Sequence, residues 1–265
     1  MPENGAAILA IEAVTKRFAA GDGEIEALAR IDLTVAPGQF VCVIGASGCG
    51  KSTLLRVIAG FEEPTSGRVA VRGKTITRPG RDRGMVFQDY ALFPWMSVRD
   101  NIAFGPRQRG LARTEIAATA SEYLRLVGLE RFAARYPSQL SGGMKQRVAI
   151  ARVLANGPDI LLMDEPFGAL DALTREQLQR ELLHIWARTG VTIVFVTHSV
   201  EEAVLLADRV LVMSAGPGRI EGDIAIELAR PRDVSSPEFN AVRRDLARRL
   251  TSHLAPARAL ATAEA

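Results

Sequence analysis

Apolar residues recur along this chain in two rhythms. Short unbroken runs at residues 39–44, 159–163 and 191–197 read as buried strands. Residues 8–18 and 25–35 alternate more loosely and predict an antiparallel pair joined through Ala20-Gly21-Asp22-Gly23. Residues 68–71 and 84–88 are also strand-like, and 209–214 and 219–228 read as closing strands. Between about 92 and 158 the rhythm changes to a helical period, at 98–110, 113–128 and 144–156, which predicts an inserted helical segment. Further helices are expected from 54 onward and over 173–188, 200–207 and 237–252, before an Ala-rich end expected to fray. Strands alternating with helices of this length predict an α/β fold, with a mostly parallel sheet covered on both faces.

Composition changes this picture little. The 265 residues are 48% hydrophobic and 24% charged, enough for one large domain or one domain with a smaller insertion. A net charge of +3 is too mild to argue for nucleic acid, and Arg243-Arg244 and Arg248-Arg249 read as a solvated basic helix face. Cys42 and Cys49 suggest neither a disulfide framework nor a metal site, so a reducing compartment is expected. The start, Met1-Pro2-Glu3-Asn4-Gly5, lacks the basic segment and apolar core of a secretory leader. No stretch approaches the roughly 18 apolar residues of a spanning helix, so membrane association is expected only through a partner.

Candidate chemistry begins at residues 45–53, Gly45-Ala46-Ser47-Gly48-Cys49-Gly50-Lys51-Ser52-Thr53. A strand precedes this stretch and a helix follows it, the setting that a phosphate loop of the form G-x-x-x-x-G-K-[ST] requires. Gly45, Gly48 and Gly50 are expected at positive φ, folding backbone N–H groups around an anion at a helix N-terminus. Lys51 would reach the β- and γ-phosphates of a nucleoside triphosphate, and the Ser52 hydroxyl would ligate Mg²⁺.

The run 160–163 ends in Asp164-Glu165, two carboxylates expected at the same sheet edge as the phosphate loop. Asp164 is suited to hold Mg²⁺, and Glu165 to act as base toward an attacking water. His198 follows the strand at 193–197 and is read as a γ-phosphate sensor. Gln88, after Met85-Val86-Phe87, can meet both metal and water. Phe18, just before the first turn, stands where a purine can stack, although for a lone Phe strand-end packing is the stronger reading. Leu140-Ser141-Gly142-Gly143-Met144-Lys145-Gln146-Arg147 sets a second anion-binding helix start in the chain. One nucleotide does not need two cradles on one face. A head-to-tail dimer, in which each Ser141-Gly142-Gly143 closes on the other copy's nucleotide, accounts for both. A glycine turn capping a helix is the plainer reading of the same residues.

With these pieces in order, the chain resembles the ATP-binding subunits of ATP-binding-cassette (ABC) transporters over about residues 8–232, with LSGGMKQR the most specific element. The resemblance implies a P-loop ATPase cassette with an antiparallel β subdomain and an inserted helical subdomain over about 92–158, filling residues 1–230, followed by a short helix and tail over 231–265. It implies adenine stacking on Phe18 and an ATP phosphate cradle at Gly45 to Thr53. It also implies a glutamine at Gln88 linking nucleotide to a membrane permease, and a trans-acting signature at Ser141, Gly142 and Gly143. Asp164 becomes the metal-side acid, Glu165 the catalytic carboxylate and His198 the switch histidine. Ala169-Leu170-Asp171 resembles the loop crossing the dimer seam, with Gly168 where Ser is commoner.

Within the superfamily the chain looks closest to the nitrate, sulfonate and taurine importer group. Residues 78–88, 92–98, 165–171 and 213–220 carry that likeness. It implies an ATP hydrolase at the cytoplasmic face of a bacterial inner membrane, bound to a permease and served indirectly by a periplasmic solute-binding protein, with no nucleic-acid partner. Two other classes are weighed. DNA-maintenance ATPases of this fold carry a long coiled coil between the glutamine and the signature, whereas only the 52 residues from 89 to 140 lie there, without sustained heptads. Translation-type or assembly ATPases generally carry two cassettes, and one is present here. Finally, Tyr90-Ala91-Leu92-Phe93-Pro94-Trp95-Met96 is apolar without strand or helix period. It predicts either a docking surface for the permease or an anchor for the helical insertion.

Overall fold

A computed structural model describes residues 7–21, 23–214 and 216–252. The leader reading at residues 1–5, Asp22 of the first turn and the fraying expected beyond residue 252 lie outside them. In chain order the first elements are β1 (Leu9–Ala20), β2 (Gly23–Val35), β3 (Phe40–Gly45), α1 (Lys51–Ala59), β4 (Ser66–Val71), β5 (Lys74–Thr75) and β6 (Arg83–Val86). Helices α2 (Val98–Gln108), α3 (Arg113–Leu126) and α4 (Gly142–Leu154) follow, then β7 (Ile160–Asp164) and α5 (Ala172–Thr189). The chain closes with β8 (Thr192–Thr197), α6 (Val200–Leu206), β9 (Arg209–Met213), β10 (Ile220–Ala225) and α7 (Pro237–Ser252). Two compact units result: Met1–Pro79 with Thr192–Ala265, and Gly80–Val191.

In the first unit β1 and β2 pair antiparallel, Leu9 opposite Val35 and Ala20 opposite Gly23. Register shifts between Ile11 and Val14, and again by Lys16 and Arg17, break the period of two and explain the loose alternation in the sequence. Ala13 sits at φ 48 inside the first irregularity, its N–H donating to Asp32 Oδ1 at 2.7 Å. β4 joins the other edge of β1, and the two-residue β5, too short for any periodicity to reveal, joins β4.

The second sheet of this unit runs β10-β9-β3-β8. β3 lies parallel to both β8 and β9, while β10 closes antiparallel on β9. Every residue of β3 and β8 is buried, which is why both read as unbroken apolar runs rather than alternating ones. α7 packs on α6 and β9, burying Phe239 and Leu246 and leaving Arg244, Arg248 and Arg249 exposed as the sequence suggested, whereas Arg243 is half-buried and donates to Asn240 Oδ1. Just before α7, the Arg232 guanidinium gathers the carbonyls of Val204 (2.6 Å) and Ala207 (2.7 Å) at the C-terminal end of α6. Burial there pulls its pKa down to about 10.

The second unit is built on the parallel pair β6–β7, Arg83 opposite Ile160 and Val86 opposite Met163. Around it lie α2 to α5, each starting on recognisable chemistry. The Ser97 hydroxyl accepts from Asp100 N–H (3.1 Å) to cap α2, and the Glu115 carboxylate accepts from Ala112 N–H (2.9 Å) at the start of α3. α4 begins at Gly142, two residues earlier than the apolar rhythm suggests, because Ser141 caps it.

Candidate functional site

In the first unit, the strand β3 delivers residues 45–50 to the N-terminus of α1. Gly48 (φ 77) and Gly50 (φ 91) occupy the left-handed region, as expected of a loop that turns its N–H groups inward. Gly45 does not. Its need for glycine is spatial: a Cβ there would stand 2.6 Å from Cys49 Sγ and 2.7 Å from Met213 O. The expectation of positive φ at Gly45 is corrected accordingly. Gly50 carries both constraints, since its Cβ would also meet Ala27 O at 2.8 Å.

Lys51 is 5% exposed, and its ammonium donates to Gly45 O (2.9 Å) and Ala46 O (2.7 Å), bracing the loop from within. Beside it Cys49 is buried, and burial raises its thiol pKa. No acidic residue stands in the first turn of α1, whose positive dipole end favours an anion. Ala46, Ser52 and Thr53 are half-buried, while Ser47 and Gly48 are exposed. The arrangement fits a polyanion held by backbone N–H groups, one ammonium and the Ser52 hydroxyl, a hard oxygen donor suited to Mg²⁺.

His198 is exposed one residue beyond β8. Thr197 pairs with Ile44, which places the histidine level with the start of the phosphate loop within this unit. Phe18 is opposite Ile25 near the end of β1, 37% exposed, with the Lys16 ammonium 4.8 Å from its ring centroid. That cation–π contact orients the ring.

The second unit holds the remaining candidates. Asp164 ends β7 and Glu165 follows it at φ 44, both half-buried. A left-handed glutamate costs on the order of 1–3 kcal/mol, a strain that clusters at functional positions. Gln88 lies two residues past β6, exposed. A Cβ on Gly168 would sit 3.7 Å from Gln88 Nε2 and 3.9 Å from Glu165 Oε2, so the amide and the carboxylate face one small region. These are ordinary contacts, and a serine at 168 would be accommodated.

Ser141 caps α4, accepting from Met144 N–H at 3.3 Å, so the serine-glycine start is a true helix N-terminus. Gly143 is buried against α5, where a Cβ would meet Thr174 Cγ2 at 2.7 Å. Asp171 caps α5 through Thr174 N–H (3.0 Å), and that bond holds its carboxyl below the usual carboxylate range. Leu173, in the same turn, is 80% exposed.

The apolar stretch after Gln88 forms an ordered loop. Tyr90 (φ 59) and Ala91 (φ 46) make a left-handed turn without glycine. Phe93 is half-buried, 4.6 Å from the Phe104 ring and 5.7 Å from the Trp95 ring between centroids. Trp95 itself is 70% exposed. Phe93 is thus turned inward, as the anchoring reading expects, and Trp95 is turned outward. Fully buried Asn101 holds the loop, accepting from Phe93 N–H (2.9 Å) and donating to Met96 O and Ser97 O (3.0 Å each). From α4, Arg152 grips the other side. Neither Asn101 nor Arg152 lies in a motif, and the sequence reading singles out neither; an Asn at a core position of a helical rhythm is the signal that could have found the first.

Among the described residues no group of three or more His, Cys, Asp or Glu could hold a metal, and no helix is long and apolar enough to cross a membrane. Comparison with known proteins adds family to this geometry. A family described as ABC transporter matches residues 28–168. The nitrate import ATP-binding protein NrtD of Synechocystis sp. is 52% identical over 87% of this chain and 86% of its own. The taurine import ATP-binding protein TauB of Roseobacter denitrificans is 50% identical over 83% of each. Among solved structures, the post-hydrolysis dimer of the ATP-binding cassette MJ0796 bound to ADP and Pi superposes with a TM-score of 0.73 at 35% identity, covering 83% of this chain and all of that one.

Proposed function

The chain belongs to the ABC transporter family, and from that premise we propose that it is the ATP-hydrolysing subunit of an importer, driving uptake of a small anion through a partner permease. The carrying observation is the second helix start, Ser141-Gly142-Gly143 on a capped α4, in a chain that already owns the α1 cradle. Two cradles per chain suit a head-to-tail dimer in which each copy completes the other's site. The exposed Leu173 beside Asp171 supplies an apolar contact for that seam.

The roles follow from the side chains. The N–H groups of residues 45–53 and the Lys51 ammonium balance phosphate charge, and Phe18 stacks on adenine. Ser52, Gln88 and Asp164 offer oxygens to Mg²⁺, which neutralises phosphate charge when bound. Glu165 takes the proton of the attacking water, and His198 contacts the γ-phosphate. Ser141, Gly142 and Gly143 act on the nucleotide of the second copy, with Asp171 at the seam between the copies. Residues 1–230 form the cassette and 231–265 an appended helix and tail. The protein then works at the cytoplasmic face of the inner membrane, peripherally, through its permease, with a periplasmic binding protein as an indirect partner.

Relatives named for nitrate and taurine import match this chain about equally, which supports a small anion as the solute, and we place taurine or another sulfonate first and nitrate next. Trp95 is the contact to the permease, with Phe93 and Asn101 as its frame. A deletion strain should fail to grow on taurine or alkanesulfonates as sole sulfur source, or on nitrate as sole nitrogen source. Wild-type chain should restore growth, and Trp95→Glu should not, while the purified variant keeps its basal ATPase. Normal growth of the deletion strain under every regime, with no redundant transporter, discards this substrate class.

A further inference from the structure

Arg152 stands in the last turn of α4, the helix that begins at Ser141. Its guanidinium reaches out of that helix and donates to Ala91 O at 2.7 Å and to Tyr90 O at 3.3 Å, while lying 5.1 Å from the centroid of the Phe93 ring. One side chain therefore holds both carbonyls of the left-handed turn and one face of the aromatic that anchors the loop. The Tyr90 side chain approaches the other end of the same helix. Its hydroxyl oxygen lies 3.3 Å from where a Cβ on Gly142 would stand. Gly142 and Arg152 are ten residues apart, about 15 Å along the axis of α4. The loop after Gln88 is thus tied to the C-terminal turn of α4 through Arg152, while the Tyr90 side chain lies beside its N-terminal turn at Gly142.

The energetics favour a purpose for this clamp. Two consecutive non-glycine residues at positive φ are costly, and the turn persists because its carbonyls are bound. Burial lowers the Arg152 pKa, so the guanidinium is desolvated in order to bind backbone oxygens rather than a carboxylate. A planar fork bonding two adjacent carbonyls while stacking on a ring fixes orientation as well as distance, which an ammonium cannot do.

We propose that Arg152 is a positioning residue for ATP hydrolysis, locking the Gln88 loop and the Ser141-Gly142-Gly143 helix into one rigid element through a bridge shared with Tyr90. Movement of the Phe93–Trp95 segment then reaches Ser141 as displacement of α4 as a whole. This rests on the proposed function only for its kinetic consequence; the bridge itself is a property of the second unit.

The test uses the purified full-length chain, with amide hydrogen exchange and ATP titrations on Arg152→Met, Arg152→Lys, Tyr90→Phe and the Arg152→Met/Tyr90→Phe double variant. Arg152→Met should speed exchange across residues 89–97 while residues 144–154 keep their protection. It should lower kcat roughly tenfold with KM for ATP unchanged, as loss of a coupling contact does. Arg152→Lys should restore part of both effects. Tyr90→Phe and Arg152→Met should combine less than additively, as members of one bridge do. Unchanged exchange over 89–97, or strictly additive kcat losses, overturns the proposal, and so does equal loss of protection over 144–154, which would make Arg152 a packing residue of α4. If the wild-type chain hydrolyses no ATP, the proposed function fails, and the exchange comparison still decides whether the clamp exists.

Discussion

Glu165 is the residue at which geometry and chemistry meet most closely. It is held at φ 44, immediately after a strand that ends in Asp164, and its carboxylate faces the same region as the Gln88 amide. If it accepts the proton of the attacking water, Glu165→Gln should preserve ATP binding and slow hydrolysis by on the order of 10²–10⁴-fold. Lys51→Ala should instead lose nucleotide affinity itself, which equilibrium binding of a fluorescent ATP analogue distinguishes. Near wild-type turnover in Glu165→Gln removes the assignment. At this scale the sequence was informative because the chemistry is carried by residue type and spacing. The loop at 45–53, the Asp164-Glu165 pair and the serine-glycine start at 141 were all legible. Why each glycine is there was not. Gly45 serves space, Gly48 serves φ and Gly50 serves both, and residue identity cannot separate the two. The left-handed turn at Tyr90–Ala91 was hidden for the opposite reason, as no glycine announces it.

At the scale of elements, α2 and the loop before it are held by one compact polar knot. The Asp100 carboxylate accepts from the Ser97 hydroxyl at 2.5 Å and pairs with Arg107 at 2.5 Å, and these partners, the Ser97 bond foremost, hold its pKa below the usual carboxylate value. A depressed carboxylate pKa stabilises the fold above its unfolded value of about 4, and that contribution disappears as pH falls through the lower folded value. Asp100→Asn should therefore melt at a lower temperature than wild type at neutral pH. The difference should shrink as pH falls below about 4. A gap that stays constant into acid would show that the charge is not the source. Element existence was readable from periodicity almost throughout, whereas β5, with two residues and no pattern, was not. The bulges in β1 blurred an alternation that is otherwise regular. Phe93 and Trp95 were visible together as an apolar loop, but only the packing of Phe93 on Phe104 shows which ring is turned outward.

For the whole molecule, the proposed function makes a single copy incomplete. Ser141→Arg would place a long cation at the start of α4, where the proposed function docks the second copy's nucleotide, and leave every residue of the α1 cradle unchanged. Such a variant should bind ATP as a single copy yet neither pair nor hydrolyse. The dimeric cassette among the solved relatives makes pairing the natural state to look for, and the sequence pointed to it through two helix starts where one nucleotide needs one. The most direct measurement is the solution mass of Glu165→Gln by light scattering, with and without ATP, beside the Glu165→Gln/Ser141→Arg double variant. The expected masses are a monomer without nucleotide, twice that mass with ATP, and a monomer throughout for the double variant. A chain that stays monomeric with saturating ATP, or a double variant that still pairs, would contradict it.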